Sequence, residues 1–305
     1  MNSRTFPVSD MSGYQPLTCT RRLAECRVAN RPLLDVQRDA MVAALESAGA
    51  DSTLCLTVRE DAWVSAAGFA GLIQYGEPAV LREASGEPLA WCGPEAQGGL
   101  PPDEWRELEA DAGSFRIRYS WDLLRVNEIL LDAVDRQQVR CMIGPQVNID
   151  GSLIAGEGTI LLPGVYIEGT VVIGRNCKIG PNCYIRGRTS IADGCHVGQA
   201  VEIKNSILMP NVSIGHLSYC GDSIVGTDVN FGAGTVTANF RHDGCNHRST
   251  IEGQLVDTGR RKFGAIIGDG VHTGIHTSIY PGRKLWPGCS TRPGTVVQRD
   301  IQGSS

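Results

Sequence analysis

Aliphatic residues recur at every sixth position from Ile173 through Ile179, Ile185, Ile191 and Val197 to Ile203, with Gly at 174, 180 and 198. A small or branched residue such as Cys177, Cys183 or Thr189 sits two places before the next aliphatic. A helix of period 3.6 cannot keep every sixth residue on one face, and simple strand alternation would turn far more side chains inward. A chain that turns a corner every six residues does place one aliphatic per edge into a central shaft. The pattern predicts a parallel β-helix in which each hexapeptide is a short strand and a turn, three of them closing one triangular coil.

The period continues, with one shorter step, through Leu208, Ile214, Cys220, Val225, Phe231 and Thr237, and resumes at Ile267, Thr273, Ile279, Leu285, Thr291 and Val297. Between Asn239 and Gly264 it fails, and the charged segment NFRHDGCNHRSTIEGQLVDTGRRKFG reads as an irregular loop thrown out from the shaft. Long loops on regular scaffolds are disproportionately functional. Ahead of the repeat, Leu33, Leu34, Ala40, Met41 and Ala44 fall at helical spacing with Gly49 as a stop, and Ser52 to Val58 reads as a buried strand. Pro and Gly are dense from Gly86 to Pro102, which predicts a loop, and Trp121 to Val134 predicts a second helix. The expected organisation is mainly β: a small α/β domain over 1–140, then a β-helix over 141–305 with an insertion at 239–264. The helix at 121–134 and the N-terminal domain would cap one end of the shaft.

Composition narrows the function. With 42% hydrophobic and 20% charged residues in 305, the chain is of the soluble globular class, and a net charge of −5 leaves no broad basic surface for nucleic acid. The eleven Cys are scattered without a C-x-x-C, which points to reduced thiols and a cytoplasmic location. No stretch approaches eighteen consecutive apolar residues, so no membrane partner is expected. Only four Lys occur, at 178, 204, 262 and 284.

The candidate chemistry concentrates in VEIKNSILMPNVSIGHLSYCGDSIVGTDVNFGAGTVTAN, from Val201 to Asn239. Arg186 follows Ile185 and Lys204 follows Ile203, eighteen residues and one full coil apart. The two cations should stack on one edge, placed to hold a phosphate, where the plainer reading is a pair of solvated surface charges. His216 lies twelve residues after Lys204, with Tyr219 three further on. Asn230 and Asn239 flank a segment in which Gly232 and Gly234 would let a ligand approach the backbone. His242, Cys245 and His247 are metal-ligand types, but their spacing fits no common zinc pattern and no metal is expected.

This set resembles the acetyltransferase domain of the bifunctional glucosamine-1-phosphate acetyltransferase and N-acetylglucosamine-1-phosphate uridylyltransferase family, in its archaeal form. The family pattern TGRRKxGAIIGDxVxTGIxxSIYPGRK is echoed from Thr258 to Lys284, and the likeness covers roughly residues 143 to 301. The resemblance implies a left-handed β-helix and a homotrimer with its sites between neighbouring shafts. It also implies acetyl-CoA as co-substrate and an amino-sugar 1-phosphate as acceptor. His216 would be the general base, Arg186 and Lys204 would bind the sugar phosphate, and Tyr219, Asn230 and Asn239 would hold the sugar. The backbone at Ala233 and Gly234 would meet the cofactor, with N–H groups near Ala233 facing the oxyanion. Cys245 and Arg248 stand where the family has Lys after the second Asn, and Phe240 where a Tyr is common.

The segments PLTCTRRLAECRVANRPLLDVQRDAMVAAL and WDLLRVNEILLD resemble a reduced sugar-phosphate nucleotidyltransferase domain. Its Gly-rich phosphate loop has no counterpart before Pro16, and the first 177 residues contain no Lys. Nucleotidyl transfer is therefore expected to be absent. Sugar-1-phosphate nucleotidylyl transfer and a non-catalytic trimeric scaffold stand as the alternatives.

Overall fold

The computed structural model describes residues 2–48, 55–94, 99–135 and 137–303. The chain divides into two compact units: Met1–Met11, Arg22–Cys26 and Arg31–Arg118 form one, and Ser12–Arg21, Arg27–Asn30 and Tyr119–Ser305 the other.

The first unit is a five-stranded mixed sheet with two helices, α1 (Leu33–Ala48) and α2 (Ala66–Tyr75). The sheet order is Asn2–Phe6, Cys55–Arg59, Pro88–Gly93, Ala79–Arg82 and Arg106–Glu109. Its core joins Met41 of α1 and Phe69, Leu72 and Ile73 of α2 to Leu56, Val58, Leu81 and Leu89. Ser65 caps α2 by accepting the Gly68 N–H at 2.9 Å, and Gly76 ends it at φ 76°. The predicted helix and strand are present, although Gly49 and residues 52–54 lie outside the described residues. The predicted loop at 86–102 is corrected in part. Pro88–Gly93 is a strand whose Leu89, Ala90 and Cys92 are fully buried, so its apolar run outweighs the flanking Pro and Gly. Residues 95–98 lie outside the described residues.

The second unit is a left-handed parallel β-helix of hexapeptide repeats. Ile167 stacks on Ile185 and Ile185 on Ile203, eighteen residues apart. From Ile203 to Cys220 the step falls to seventeen, and Ile207 to Ile224 keeps it. The predicted aliphatic positions from Ile173 to Val297 fill one continuous core. Where Thr replaces an aliphatic, the buried hydroxyl is bonded: Thr237 accepts the Gly221 N–H at 2.9 Å and Thr273 that of Gly232 at 3.0 Å. Corners turn on positive-φ residues such as Asn176 (54°), Asn211 (61°) and Asp228 (57°), types whose short polar side chains tolerate that conformation.

The insertion shows in the register, because Ile224 pairs with Ile266 and Phe231 with Thr273, forty-two residues on. It is more ordered than its sequence suggests. Arg248–Ile251 and Gln254–Asp257 form an antiparallel hairpin, closed by Glu252 (φ 47°) and Gly253 (φ 80°) in the twisted turn that hairpins favour.

The helix predicted at 121–134 is α3 (Asp122–Asp132), and by its contacts it belongs to the second unit. It flanks the middle coils instead of capping an end. Buried Asn127 accepts the Ser190 hydroxyl and the Ala29 N–H, each at 2.8 Å, and donates to the Arg188 carbonyl at 3.0 Å. Beside it, Trp121 packs edge-on to Phe263, and the Lys284 ammonium lies 5.6 Å from the Trp121 ring centre.

Lys284 is almost fully buried, and burial pulls its pKa down to about 8, with nearby Asp300 opposing and Arg283 adding to the shift. Between pH 8 and 10.5 the unfolded chain holds this proton more than the folded one, so stability from Lys284 rises with pH across that window. Below pH 8 both forms are protonated and the burial penalty is constant. Lys284→Met should therefore exceed wild type in stability most at neutral pH, and the gap should narrow by up to about 3 kcal/mol by pH 10.5. Denaturant titrations at several pH values measure it, and a constant gap contradicts the assignment.

Candidate functional site

The coil register places Arg186 directly against Lys204 on one edge of the shaft. Each, however, has its own carboxylate. Arg186 Nε donates to Glu202 Oε1 at 2.8 Å, and Lys204 Nζ to Asp222 Oδ2 at 3.1 Å. Asp222 is nearly inaccessible and also accepts from Asn205 at 3.1 Å and from Asn239 at 2.5 Å. Asn239 Nδ2 further donates to the Tyr219 hydroxyl at 2.8 Å. On the flank, Glu128 of α3 accepts from Asn205 at 2.9 Å and from Arg260 at 2.5 Å.

Three cations and three carboxylates thus balance one another along this edge. The stacking of Arg186 and Lys204 follows from their spacing; their neutralisation does not, and it weakens the expectation that this pair alone holds a phosphate. Burial, with Asp222 and Glu202 adding, pushes the Tyr219 phenol up to about 12. Tyr219 stays protonated at neutral pH, accepting from Asn239 with its own proton left to donate. Sequence reasoning missed Glu202, Asn205, Asp222, Glu128 and Arg260. Asn205 and Asp222 carried one usable signal: both are short polar residues at a corner, at φ 49° each, and stand seventeen residues apart.

His216 and Asn230 sit on the neighbouring sheet. His216 pairs with Gln199, and Asn230 with Ser213 and His272. Leu217, exposed and at φ 48°, turns the corner between His216 and Tyr219. The imidazole of His216 is exposed and has no hydrogen bond among the described residues. It lies near enough to His196 to help lower that residue's pKa, after burial and Lys178. The described contacts do not join His216 or Asn230 to the Lys204 and Asn239 network.

The glycines after Asn230 serve packing. A Cβ on Gly232 would lie 2.6 Å from the Gly274 backbone, and one on Gly234 2.6 Å from His276 Nδ1, so the next coil takes the space that a ligand was expected to use. The Gly234 N–H donates to the His216 carbonyl at 3.2 Å and that of Gly232 to Thr273 at 3.0 Å. Ala233 is left as the oxyanion candidate of the three, since its N–H has no acceptor among the described residues.

The insertion is tied to the polar edge through Asn239, whose carbonyl accepts from His247 Nε2 at 3.0 Å and from the Phe263 N–H at 3.1 Å. That bond commits one ring nitrogen of His247, and no group of three or more His, Cys, Asp or Glu suited to a metal occurs among the described residues. No described helix is long and apolar enough to cross a membrane.

A family model described as the GMPPB C-terminal domain matches residues 167–287, inside the β-helix. A bifunctional sugar-1-phosphate nucleotidylyltransferase/acetyltransferase of Sulfurisphaera tokodaii is 41% identical over 181 residues, 59% of this chain and 45% of that protein. A bifunctional protein GlmU of Methanococcus maripaludis is 50% identical over 189 residues, 62% of this chain and 46% of that protein. The β-helix is similar in sequence to part of these bifunctional proteins. The chain spans less than half the length of either. Among solved structures, a polysialic acid O-acetyltransferase, OatWY, is 18% identical with a TM-score of 0.26, covering 54% of this chain and 82% of that one. A Francisella novicida UDP-N-acetylglucosamine acyltransferase is 17% identical with a TM-score of 0.26, covering 54% and 59%. At these scores neither bears on the chemistry.

Asp222→Asn keeps a residue suited to positive φ while removing the charge that balances Lys204. Breaking one side of a buried ion pair typically costs about 3 kcal/mol or more. The variant should unfold at correspondingly lower urea concentration, and an unchanged midpoint contradicts the role given to Asp222.

Proposed function

We propose that this protein transfers the acetyl group of acetyl-CoA to the 2-amine of an amino-sugar 1-phosphate such as glucosamine 1-phosphate, in the synthesis of nucleotide sugars. The reading is supported chiefly by the hydrogen-bonded edge that gathers Lys204, Tyr219 and Asn239 from three successive coils around Asp222. The acetyltransferase activity in the name of the relative at 41% identity agrees with it.

In this reaction the amine nitrogen attacks the thioester carbonyl, the nitrogen loses a proton, and the CoA thiolate leaves. His216 accepts that proton and passes it to the departing sulfur. Its exposed imidazole, free of internal hydrogen bonds among the described residues, is available for the exchange, and imidazole is the side chain ordinarily suited to proton transfer near neutral pH. Tyr219 and Asn239 hold sugar hydroxyls, Lys204 and Arg186 lie beside the phosphate, and Asn230 contributes from the neighbouring sheet. The Ala233 N–H donates to the oxyanion of the tetrahedral intermediate, which then re-forms the carbonyl as the thiolate leaves. The protein works as a cytoplasmic trimer in which adjacent shafts bring His216 and the polar edge to one substrate, and the first unit is a reduced nucleotidyltransferase-like domain that docks or supports without transferring nucleotides.

General-base catalysis contributes about 10²–10⁴-fold, so His216→Ala should lose that much kcat in an assay of free CoA released with glucosamine 1-phosphate. An unchanged kcat removes His216 from the mechanism. The protein should release no pyrophosphate from a nucleoside triphosphate and a sugar 1-phosphate; measurable release restores nucleotidyl transfer to the first unit.

A further inference from the structure

The insertion leaves the shaft at Asn239, and both of its arms return a hydrogen bond to that residue. The Asn239 carbonyl accepts from His247 Nε2 at 3.0 Å on the outgoing arm and from the Phe263 N–H at 3.1 Å on the returning one. His247 is itself held at both ends of its backbone. Its N–H donates to the Arg260 carbonyl at 2.9 Å, and its carbonyl accepts the Thr258 N–H at 3.0 Å and the Thr258 hydroxyl at 2.9 Å. Of the three metal-ligand types in this segment, His242 and Cys245 are exposed and His247 is buried. Burial lowers the pKa of His247, with the Asn239 carbonyl opposing, so the ring is neutral at pH 7 and carries its proton on Nε2, facing that carbonyl.

These bonds belong to a closed ring. Arg260 donates to Glu128 of α3, Glu128 accepts from Asn205, Asn205 donates to Asp222 at 3.1 Å, and Asp222 accepts from the Asn239 amide. The ring begins and ends on Asn239, entering by its carbonyl and leaving by its side chain. Both hydrogens of that amide are used, on Asp222 and on the Tyr219 hydroxyl. Oδ1 is the part of the side chain left for a ligand, and it takes only a donor. Satisfying the Asn239 carbonyl does not by itself call for an imidazole, since the Phe263 N–H already does so.

From this geometry we infer that His247 is a positioning residue, which by fixing the Asn239 main chain aims Oδ1 at a hydroxyl of the acceptor sugar, an inference that rests on the acetyl-transfer reading. His247 touches no substrate and moves no proton. His216, the base, stands outside the ring, so the hydroxyl held by Asn239 lies away from the reacting amine. A contact of that kind is the same before and during the reaction and contributes to binding more than to turnover.

Steady-state acetyl transfer, together with calorimetric titration of glucosamine 1-phosphate alone, tests the role on the full-chain protein. His247→Leu fills the space without a donor and should raise the KM and Kd for glucosamine 1-phosphate about fivefold, as expected for loss of one hydrogen bond, with kcat and the KM for acetyl-CoA close to wild type. A merely structural defect lowers the active fraction, and with it kcat, and leaves KM unchanged. His247→Gln puts an N–H near the position of Nε2 and should restore both sugar constants. Arg260→Met opens the ring at a second link, should raise the same two constants, and carries the test if His247→Leu does not fold. The inference is overturned if these variants keep the wild-type KM and Kd for the sugar, if His247→Gln is as impaired as His247→Leu, or if the loss falls on acetyl-CoA. Sugar binding weakened in His247→Leu and restored in His247→Gln, with no acetyl transfer by wild type, would uphold the positioning and refute the reaction. Acetyl transfer with an unchanged sugar KM in His247→Leu and Arg260→Met would do the reverse. A wild type that neither binds nor acetylates glucosamine 1-phosphate overturns both.

Discussion

The parallel stacking of coils at seventeen or eighteen residues constrains every other feature of the β-helix. Each residue is held against its counterpart in the coil before and the coil after, so a side chain's neighbours are set by register more than by sequence proximity. Arg186 meets Lys204 for this reason, and Asn205 meets Asp222. The same constraint forces Gly at 232, where the backbone of the following coil approaches too closely for a side chain, whereas Gly234 is required by its φ of 74°. It also lets a long insertion leave and re-enter between Phe231 and Thr273 without disturbing the shaft, since the chain resumes pairing where it stopped.

Asp222 is the point at which register becomes chemistry. One nearly inaccessible carboxylate accepts from Lys204 and Asn205 of the coil before and from Asn239 of the coil after, tying three successive coils together. Asn239 extends this in two directions, through its amide to Tyr219 and through its carbonyl to His247 of the insertion. The edge is rigid and electrically balanced, suited to orienting hydroxyls. The insertion carries Arg248 without an ion pair among the described residues, while Arg241 is paired with Asp243.

Much of this was legible in the chain. The sixfold recurrence from Ile173 to Ile203 states the architecture because one aliphatic per edge is all the shaft requires, and the stacking of Arg186 on Lys204 follows by counting. Their carboxylate partners could not be counted in the same way. Glu202 reaches Arg186 from the next coil, and Asp222 sits one place past the residue paired with Lys204, offsets that depend on corner geometry. The strand at Pro88–Gly93 was hidden by the Pro and Gly around it, and the hairpin at Arg248–Asp257 by its charge. The side of α3 that packs was visible in its spacing, but its target was not, because Asn127 finds Ser190 across sixty-three residues.

The central claim is that the β-helix joins an acetyl group to a sugar amine. The most direct measurement follows isotopically labelled acetyl-CoA, incubated with purified protein and glucosamine 1-phosphate, by mass spectrometry of the sugar product. The account predicts the labelled acetyl group on the amine, in amounts equal to the CoA released. CoA released by hydrolysis with the amine unlabelled, or no turnover with any amino-sugar 1-phosphate tried, would contradict it.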